Sequence, residues 1–301
     1  MSEAGLYTPF EAPYRMAMGL MALSEPEWLE VDAGLADDLW EKRRLLAAQR
    51  DEVFRALPGS QAAQREVLDL LLGHLARHHA GTHRRNGRFL TLVPLGETVD
   101  LDAAGPDALD LAGRLVQEDL CLLQRDEAAW RLTAASVCFP TRWALKAKMG
   151  RPLAAIHEPV PGYAERLGSP VDRFFDRLRT ERPVWRLNWS LTDDAALFQP
   201  GGHGRTTANP ALNADNAGDA VWLRTERQTL RRLPESGAIL FTIRIHRHPL
   251  AALATRPEAA RRLRQAIETM PPEMQRYKSI PALGEAVLGW LDRVIGREAA
   301  E

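Results

Sequence analysis

The strongest strand pattern in the sequence is a pair of extended segments joined by a short polar turn. Residues 220–232 and 238–246 are typical of β-strands, and Leu233-Pro-Glu-Ser-Gly237 between them is typical of a hairpin turn. A hairpin of this length favours an antiparallel sheet, because strands joined by a short turn run in opposite directions. The segment 184–191 alternates apolar and polar residues and predicts another strand, as does the segment 130–139.

Helical patterns stand before, between and after these strands. Helices are predicted at 37–56, 61–79, 107–121, 171–182, 258–270 and 280–295. Strands on both sides of a cluster of short helices suit an antiparallel sheet that holds a ligand against those helices, so the fold class is predicted as α+β. We expect an N-terminal arm with helices over 1–85, a core over 86–250 and C-terminal helices over 251–301.

The composition allows a large core and excludes several kinds of partner. The chain has 301 residues, 45% of them hydrophobic, and its formal charge of −1 gives no reason to expect nucleic acid or an anionic membrane as a partner. Its two cysteines, Cys121 and Cys138, are too few to hold an iron–sulfur cluster alone. Neither a signal-peptide pattern nor an apolar run near the ~20 residues of a membrane span is present, so we expect a cytoplasmic protein.

A basic run followed by a proline-rich corner marks the candidate site. Lys146, Lys148 and Arg151 form the basic run. The apolar segment after it ends at His157, which is followed by Glu158-Pro159-Val160-Pro161-Gly162. Because proline disfavours helical backbone in the residue before it, a helix over the apolar segment should end at about His157 and leave the imidazole at a rigid corner. Such a histidine can hold one position beside cations that bind anionic groups. A helix-capping histidine beside a turn explains the same residues equally well.

A second group of histidines lies near the end of a predicted helix. His74 and His78 are one helical turn apart, and His79 follows them. No Glu-x-x-His signature of a metal site surrounds these residues, and Arg77 and Arg84 would repel a cation. The sequence therefore predicts a solvated helix end here rather than a metal site.

Several blocks of the sequence, in this order, resemble one protein family. They are Ile156-His157-Glu158-Pro159-Val160-Pro161-Gly162-Tyr163, Val171-Asp172-Arg173-Phe174-Phe175, Arg186-Leu187-Asn188-Trp189, Glu226-Arg227-Gln228-Thr229-Leu230-Arg231-Arg232-Leu233-Pro234 and Gly237-Ala238-Ile239-Leu240-Phe241-Thr242-Ile243-Arg244. The chain over roughly 13–248 is similar to the α subunits of haem-dependent oxidative N-demethylases. The resemblance implies a PAS-like domain, in which an antiparallel sheet and a helical cluster hold haem b, with further helices at both ends.

The resemblance also implies roles for the residues around the corner. His157 would be the axial ligand of the haem iron, and Lys146, Lys148 and Arg151 would bind the haem propionates. A simply solvated basic run is the alternative for these three cations. Asn188, in the third block, would hydrogen-bond either the neighbouring strand or the haem pocket.

The strand phase of residues 221–230 suggests further candidate catalytic residues. Arg227 continues the apolar phase that includes Val221, and a buried arginine requires a partner. That partner is either a haem propionate or bound oxygen, which would make Arg227 catalytic, or a structural salt bridge. Arg224 and Glu226 lie on the opposite face by strict alternation, and Glu226 is the nearest carboxylate for a protonated amine. We therefore include both as catalytic candidates.

Two functions fit these observations. The first is the haem subunit of an enzyme that uses O2 to demethylate a small secondary amine, similar to dimethylamine, to a primary amine and formaldehyde. The chain has no flavin motif and too few cysteines for an iron–sulfur cluster, so the resemblance implies a separate reductase subunit that carries flavin or iron–sulfur centres. The second is a non-catalytic haem-binding sensor of a gas or of redox state, but the sequence shows neither an output domain nor sustained heptads. The enzyme is the favoured hypothesis.

Overall fold

Two antiparallel sheets carry the strands found in residues 6–298, the part of the chain that the computed structural model describes. In chain order the strands are β1 (Met21–Ala22), β2 (Phe54–Ala56), β3 (His83–Asn86), β4 (Phe89–Leu92), β5 (Glu97–Asp100), β6 (Asp119–Arg125), β7 (Trp130–Ser136), β8 (Val184–Thr192), β9 (Trp222–Arg232) and β10 (Ile239–Pro249). The α-helices are α1 (Leu35–Ala48), α2 (Arg50–Val53), α3 (Gln61–His78), α4 (Ala108–Gly113), α5 (Leu153–Ile156), α6 (Ser169–Arg177), α7 (Ala217–Ala220), α8 (Pro257–Glu268), α9 (Pro272–Tyr277) and α10 (Gly284–Glu298). The 3₁₀ turns are Glu25–Glu27, Val93–Leu95, Leu101–Ala104, Leu145–Ala147, Leu250–Leu253 and Ile280–Ala282, and Ala164–Gly168 is a π-helical turn.

The main sheet is built around the predicted hairpin. Its strand order is β1-β8-β9-β10-β6-β7-β2, and the smaller sheet has the order β3-β4-β5. β9 and β10 pair from Ile239 opposite Arg232 to Pro249 opposite Trp222, and β8 pairs with the other edge of β9. The α+β class and the antiparallel sheet predicted from the sequence are confirmed.

Different helices cover the two faces of the main sheet. On one face, Leu230 joins Leu153 of α5 and Phe175 of α6 in a hydrophobic cluster, and we call this the helical-cluster face. On the other, Leu240 joins Leu71 of α3 in a second cluster, and we call this the N-terminal face. A third cluster joins α8 and α10 to the end of β8 and the start of β9. Because successive strand residues point to opposite faces, neighbours in β8 and β9 lie in different environments.

The helix predicted over 107–121 is shorter in the structure. α4 ends at Gly113, and the residues of β6 that follow lie between β10 and β7. The apolar run 120–123 fits a buried strand as well as a helix, so periodicity did not separate the two. Hydrogen bonding to a strand on each side favours the extended form.

The N-terminal segment contributes strands to the main sheet as well as helices. β1 and β2 are its two outer strands. The helix predicted at 37–56 ends at Ala48 for this reason, and α2 then leads into β2. The first five residues of the segment expected at 1–85, and the last three of that expected at 251–301, lie outside the described residues. No helix within the described part is long and apolar enough to cross a membrane.

A buried ion pair fastens α1 to β6. Lys42 Nζ lies 3.5 Å from Asp119 Oδ1, and both side chains are buried. Lys42 also donates to two backbone carbonyl oxygens, while Asp119 accepts from the backbone N–H groups of Cys138 and Phe139. Burial raises the pKa of the Asp119 carboxyl, and Lys42 opposes that rise. Each charge therefore depends on the other, because an uncompensated buried charge is strongly unfavourable.

Replacing Lys42 by methionine should lower the free energy of unfolding by about 3 kcal/mol, because Asp119 loses its counter-ion. Lys146→Met is the matched control, since Lys146 pairs with Glu52 at an exposed position. That variant should change the free energy by less than about 0.5 kcal/mol. Urea unfolding followed by circular dichroism measures both. Equal effects of the two substitutions would contradict this account of the buried pair.

Candidate functional site

The corner predicted at His157 is formed in the structure. α5 ends at Ile156, and His157 is its C-cap residue, with φ −100° and ψ 4°. His157 Nδ1 lies 2.9 Å from the carbonyl oxygen of Leu153. A carbonyl oxygen only accepts, so Nδ1 carries the proton and donates it, and Nε2 keeps its lone pair. The imidazole is thus held in the single tautomer that a metal-ligating histidine needs.

The surroundings of His157 keep its ring neutral. The ring stacks on Tyr163, with centroids 4.5 Å apart and planes inclined by 12°. Burial lowers the pKa of His157 to about 4. The positive charges of Lys148 and Arg186 add to this shift, and the hydrogen bond to Leu153 opposes it. At neutral pH its Nε2 is therefore available as a ligand atom rather than protonated.

The helical-cluster face carries a group of polar side chains, of which Arg186 acts on His157 through its charge. Strand register pairs Asn188 with Glu226 and Arg186 with Gln228, so these side chains share one face, and we call the four residues the polar patch. The Asn188 and Gln228 amides both donate to Glu226 Oε2, at 3.2 and 2.7 Å. Arg186, Asn188 and Gln228 are only partly buried, whereas Glu226 itself is buried.

Two cations that the sequence analysis did not single out belong to this site. Arg186 Nε is buried and has no hydrogen-bond partner among the described residues. Lys278 Nζ donates to Asn188 Oδ1 at 3.3 Å and to the Trp189 carbonyl oxygen at 2.6 Å. Burial lowers the pKa of Lys278 to about 8, although Glu226 opposes the shift. Arg186 could have been found from its strand phase, which it shares with Asn188, whereas no pattern in the sequence points to Lys278.

The structure brings one of the three cations of the basic run to the corner. Lys148 Nζ donates to the last carbonyl oxygen of α5 at 2.8 Å, and its charge acts on His157. Lys146 and Arg151 instead form ion pairs with glutamates at exposed positions. The solvated interpretation therefore fits Lys146 and Arg151, while Lys148 lies beside the His157 corner.

Arg224 forms hydrogen bonds to two loop segments, 139–141 and 196–197. It is buried, and its guanidinium donates to Thr141 Oγ1 and to the carbonyl oxygens of Phe139, Pro140, Ala196 and Leu197. Burial lowers the pKa of Arg224 to about 10. Because each nitrogen of this guanidinium already donates to a loop, the geometry favours a structural role for Arg224 over the catalytic one expected from the sequence.

Arg227 lies on the N-terminal face, away from the polar patch. It donates to the carbonyl oxygens of Glu27 and Trp28, and its Nε lies 3.5 Å from Glu30 Oε1. Its guanidinium also stacks over the Trp185 ring, 5.0 Å from the centroid. Of the two roles that the strand phase left open, this geometry favours the structural salt bridge.

The histidines near the end of α3 do not form a solvated helix end. His74 is 2% exposed, and His78 and His79 are partly buried. Ligand atoms of Glu25, His74 and His78 lie within 4.8 Å of one another. Arg77, which was expected to repel a cation, is exposed. The prediction from the sequence is wrong here, because folding brings a turn from a distant part of the chain onto this helix.

Arg227→Ala should lower the free energy of unfolding by about 2 kcal/mol, because two backbone carbonyls lose a charged donor and Glu30 loses a cation. Arg151→Ala removes an arginine from an exposed ion pair and should cost less than about 0.5 kcal/mol. Urea unfolding measures both variants. Unchanged stability of the Arg227 variant, with altered ligand binding near His157, would instead support the catalytic role.

The sequence profile of one family matches residues 19–288, which span the chain from β1 into α10. The family is described as haem-dependent oxidative N-demethylase, alpha subunit-like. The matched region includes the His157 corner, the polar patch and Lys278. Because the match covers most of the sequence, the chain belongs to the haem-dependent oxidative N-demethylase, alpha subunit-like family.

Proposed function

We propose that the chain is the haem-carrying subunit of an oxidative N-demethylase that acts on a small secondary amine of the dimethylamine type. In this reaction the amine, O2, two protons and two electrons give a primary amine, formaldehyde and water. One C–N bond breaks, and the methyl carbon leaves as formaldehyde. The proposal rests on the neutral imidazole of His157, which lies within the region that matches the family. Its Nδ1 donates a hydrogen bond to the Leu153 carbonyl oxygen, which leaves the Nε2 lone pair free to bind iron.

The residues around His157 fit a haem of the b type on a PAS-like sheet. His157 would supply a nitrogen ligand to the iron, and the guanidinium of Arg186, whose Nε has no partner, and the ammonium of Lys148 would supply cations for the propionates. Ile156 and Phe241 belong to the hydrophobic cluster on the same face and supply apolar contacts for a macrocycle. When bound, haem supplies the binding and reduction of O2 at its iron. Tyr163 holds the imidazole plane by stacking on it.

Glu226 is the proposed anchor for the protonated amine. The two neighbouring amides donate to its Oε2, which leaves Oε1 for an ammonium N–H. Lys278 limits this attraction, because below its pKa of about 8 it adds a positive charge beside the same carboxylate. Asn188 contacts both groups and thereby fixes their separation. The substrate amine would be oriented by the charge of Glu226 and by the shape of the site around it.

The electrons would come from a separate reductase subunit that carries flavin or iron–sulfur centres. Cys121 and Cys138 are free and buried, and burial raises the pKa of the Cys138 thiol to about 12. A thiol with so high a pKa is poorly suited to ligate iron, which requires the thiolate. Free thiols also agree with a reducing compartment, so we propose that the reaction takes place in the cytoplasm.

His157→Ala should abolish the Soret band of protein-bound haem, because the iron would lose the nitrogen ligand that the protein supplies, while far-ultraviolet circular dichroism stays unchanged. His203→Ala is the control, since His203 is an exposed histidine packed edge-on against Tyr277. That variant should keep the wild-type spectrum. A full, unshifted Soret band in the His157 variant would overturn the ligand assignment, and loss of the band in the His203 variant would reassign it.

Glu226→Gln should raise the KM for dimethylamine at least tenfold and leave the haem spectrum unchanged, because the amide offers no charge to the ammonium group. Glu158→Gln is the control, since Glu158 is an exposed carboxylate beside the same corner.

Formaldehyde production is measured with O2 and either a chemical reductant or a cognate reductase, and NADPH alone should give none. A sensor would bind O2 under these conditions without demethylating any amine in a panel of methylated amines, and that outcome would contradict the proposed reaction.

A further inference from the structure

Histidines and a glutamate meet at the end of α3, on the N-terminal face of the sheet. His74 and His78 are four residues apart, so both side chains leave the helix on the same side. Glu25, at the start of the 3₁₀ turn before α1, reaches them from a distant part of the chain. Ligand atoms of these three residues lie within 4.8 Å of one another, and the His79 ring centroid is 5.3 Å from that of His74.

One ring nitrogen of each of the three histidines in this cluster is buried without a partner. His74 is 2% exposed. Within residues 6–298, the Nε2 atoms of His74, His78 and His79 find no hydrogen-bond partner. Buried polar atoms in this state destabilise a fold unless something satisfies them.

The carboxylate of Glu25 is held by Arg231 while facing the histidines. Glu25 Oε1 lies 3.5 Å from His74 Nδ1. Arg231 donates hydrogen bonds to both carboxylate oxygens of Glu25, to Oε2 and, at 3.3 Å, to Oε1. The guanidinium is itself fixed over the Trp28 ring, 4.3 Å from its centroid, and Trp28 packs edge-on against His74. Arg231 thus holds the Glu25 carboxylate in place, as hydrogen-bond donors do for carboxylates that ligate metals.

We propose that Glu25, His74 and His78 bind a divalent transition-metal ion of the zinc type, with His79 as the nearest further donor. Imidazole and carboxylate are ligands that zinc takes at about 2.0–2.2 Å in tetrahedral sites, whereas calcium and magnesium select oxygen ligands. Tetrahedral geometry places ligand atoms about 3.3 Å apart, so binding requires the side chains to close by about 1.5 Å. Glu25 and His78 are partly exposed and free to make that adjustment.

The proposed ion would fasten the segment before α1 to α3. The carbonyl oxygens of Glu27 and Trp28, which accept from Arg227, lie in the same turn as Glu25. Metal binding would therefore stabilise the contact between the N-terminal segment and β9. This site lies on the face of the sheet opposite the polar patch and shares no residue with the proposed haem site at His157.

The test uses the full-length purified protein, treated with a chelator, and zinc ion alone as the probe. Isothermal titration calorimetry should give one zinc per chain, and the melting temperature should rise with zinc concentration. His78→Ala and Glu25→Gln should each weaken zinc affinity at least tenfold. His203→Ala and His157→Ala should keep the wild-type affinity. These two substitutions serve as controls for an exposed histidine and for the proposed haem ligand.

We choose His78→Ala as the main variant because His78 is partly exposed at the end of α3. His74→Ala would leave a cavity in the core and could lower stability by itself. Unchanged zinc affinity in both His78→Ala and Glu25→Gln would overturn the proposal, as would the absence of saturable zinc binding by the wild-type protein. If only His157→Ala loses zinc binding, the ion binds on the other face of the sheet, and the proposal is also overturned. The readouts are zinc affinity and stoichiometry, so a failure of the haem proposal leaves this test unaffected.

Discussion

The pairing of β8 with β9 decides which charged side chains meet in this protein. With Asn188 opposite Glu226, the polar patch lies on the helical-cluster face, and Arg227 faces the N-terminal segment. A shift of one residue in this register would exchange the two faces and place the carboxylate among the N-terminal helices. The register is maintained on the other side of β9 by its full-length pairing with β10. The candidate site therefore depends on the hairpin, although the hairpin turn is not part of the site.

Local patterns in the sequence were enough to predict some of this arrangement. The hairpin, the end of α5 at His157 and the opposite orientations of Glu226 and Arg227 all follow from turn residues, proline and period-two alternation. Period-two alternation does not indicate which face of the sheet binds a ligand. Arg227 was a catalytic candidate for that reason, and the structure shows its guanidinium bound to backbone carbonyls instead.

The remaining features arise from contacts between distant parts of the chain. Lys278 reaches Asn188 across 90 positions, and Glu25 reaches His74 across 49. Neither pair leaves a periodic signal, because each residue alone is compatible with a solvated position. Burial is what changes their chemistry: it lowers the pKa of Lys278 to about 8 and that of His74 to about 4. The main sheet thus separates a proposed haem and amine site on one face from a proposed metal site on the other.

The most direct test of the central claim is the absorption spectrum of the purified chain during titration with haem and then with dimethylamine. A site built on His157 and the polar patch predicts a Soret band that saturates at one haem per chain, followed by a saturable spectral change on addition of the amine. An equal concentration of sodium chloride should leave the spectrum unchanged. A spectrum that remains that of free haem throughout the titration, or a bound-haem spectrum that no secondary amine perturbs, would contradict the account.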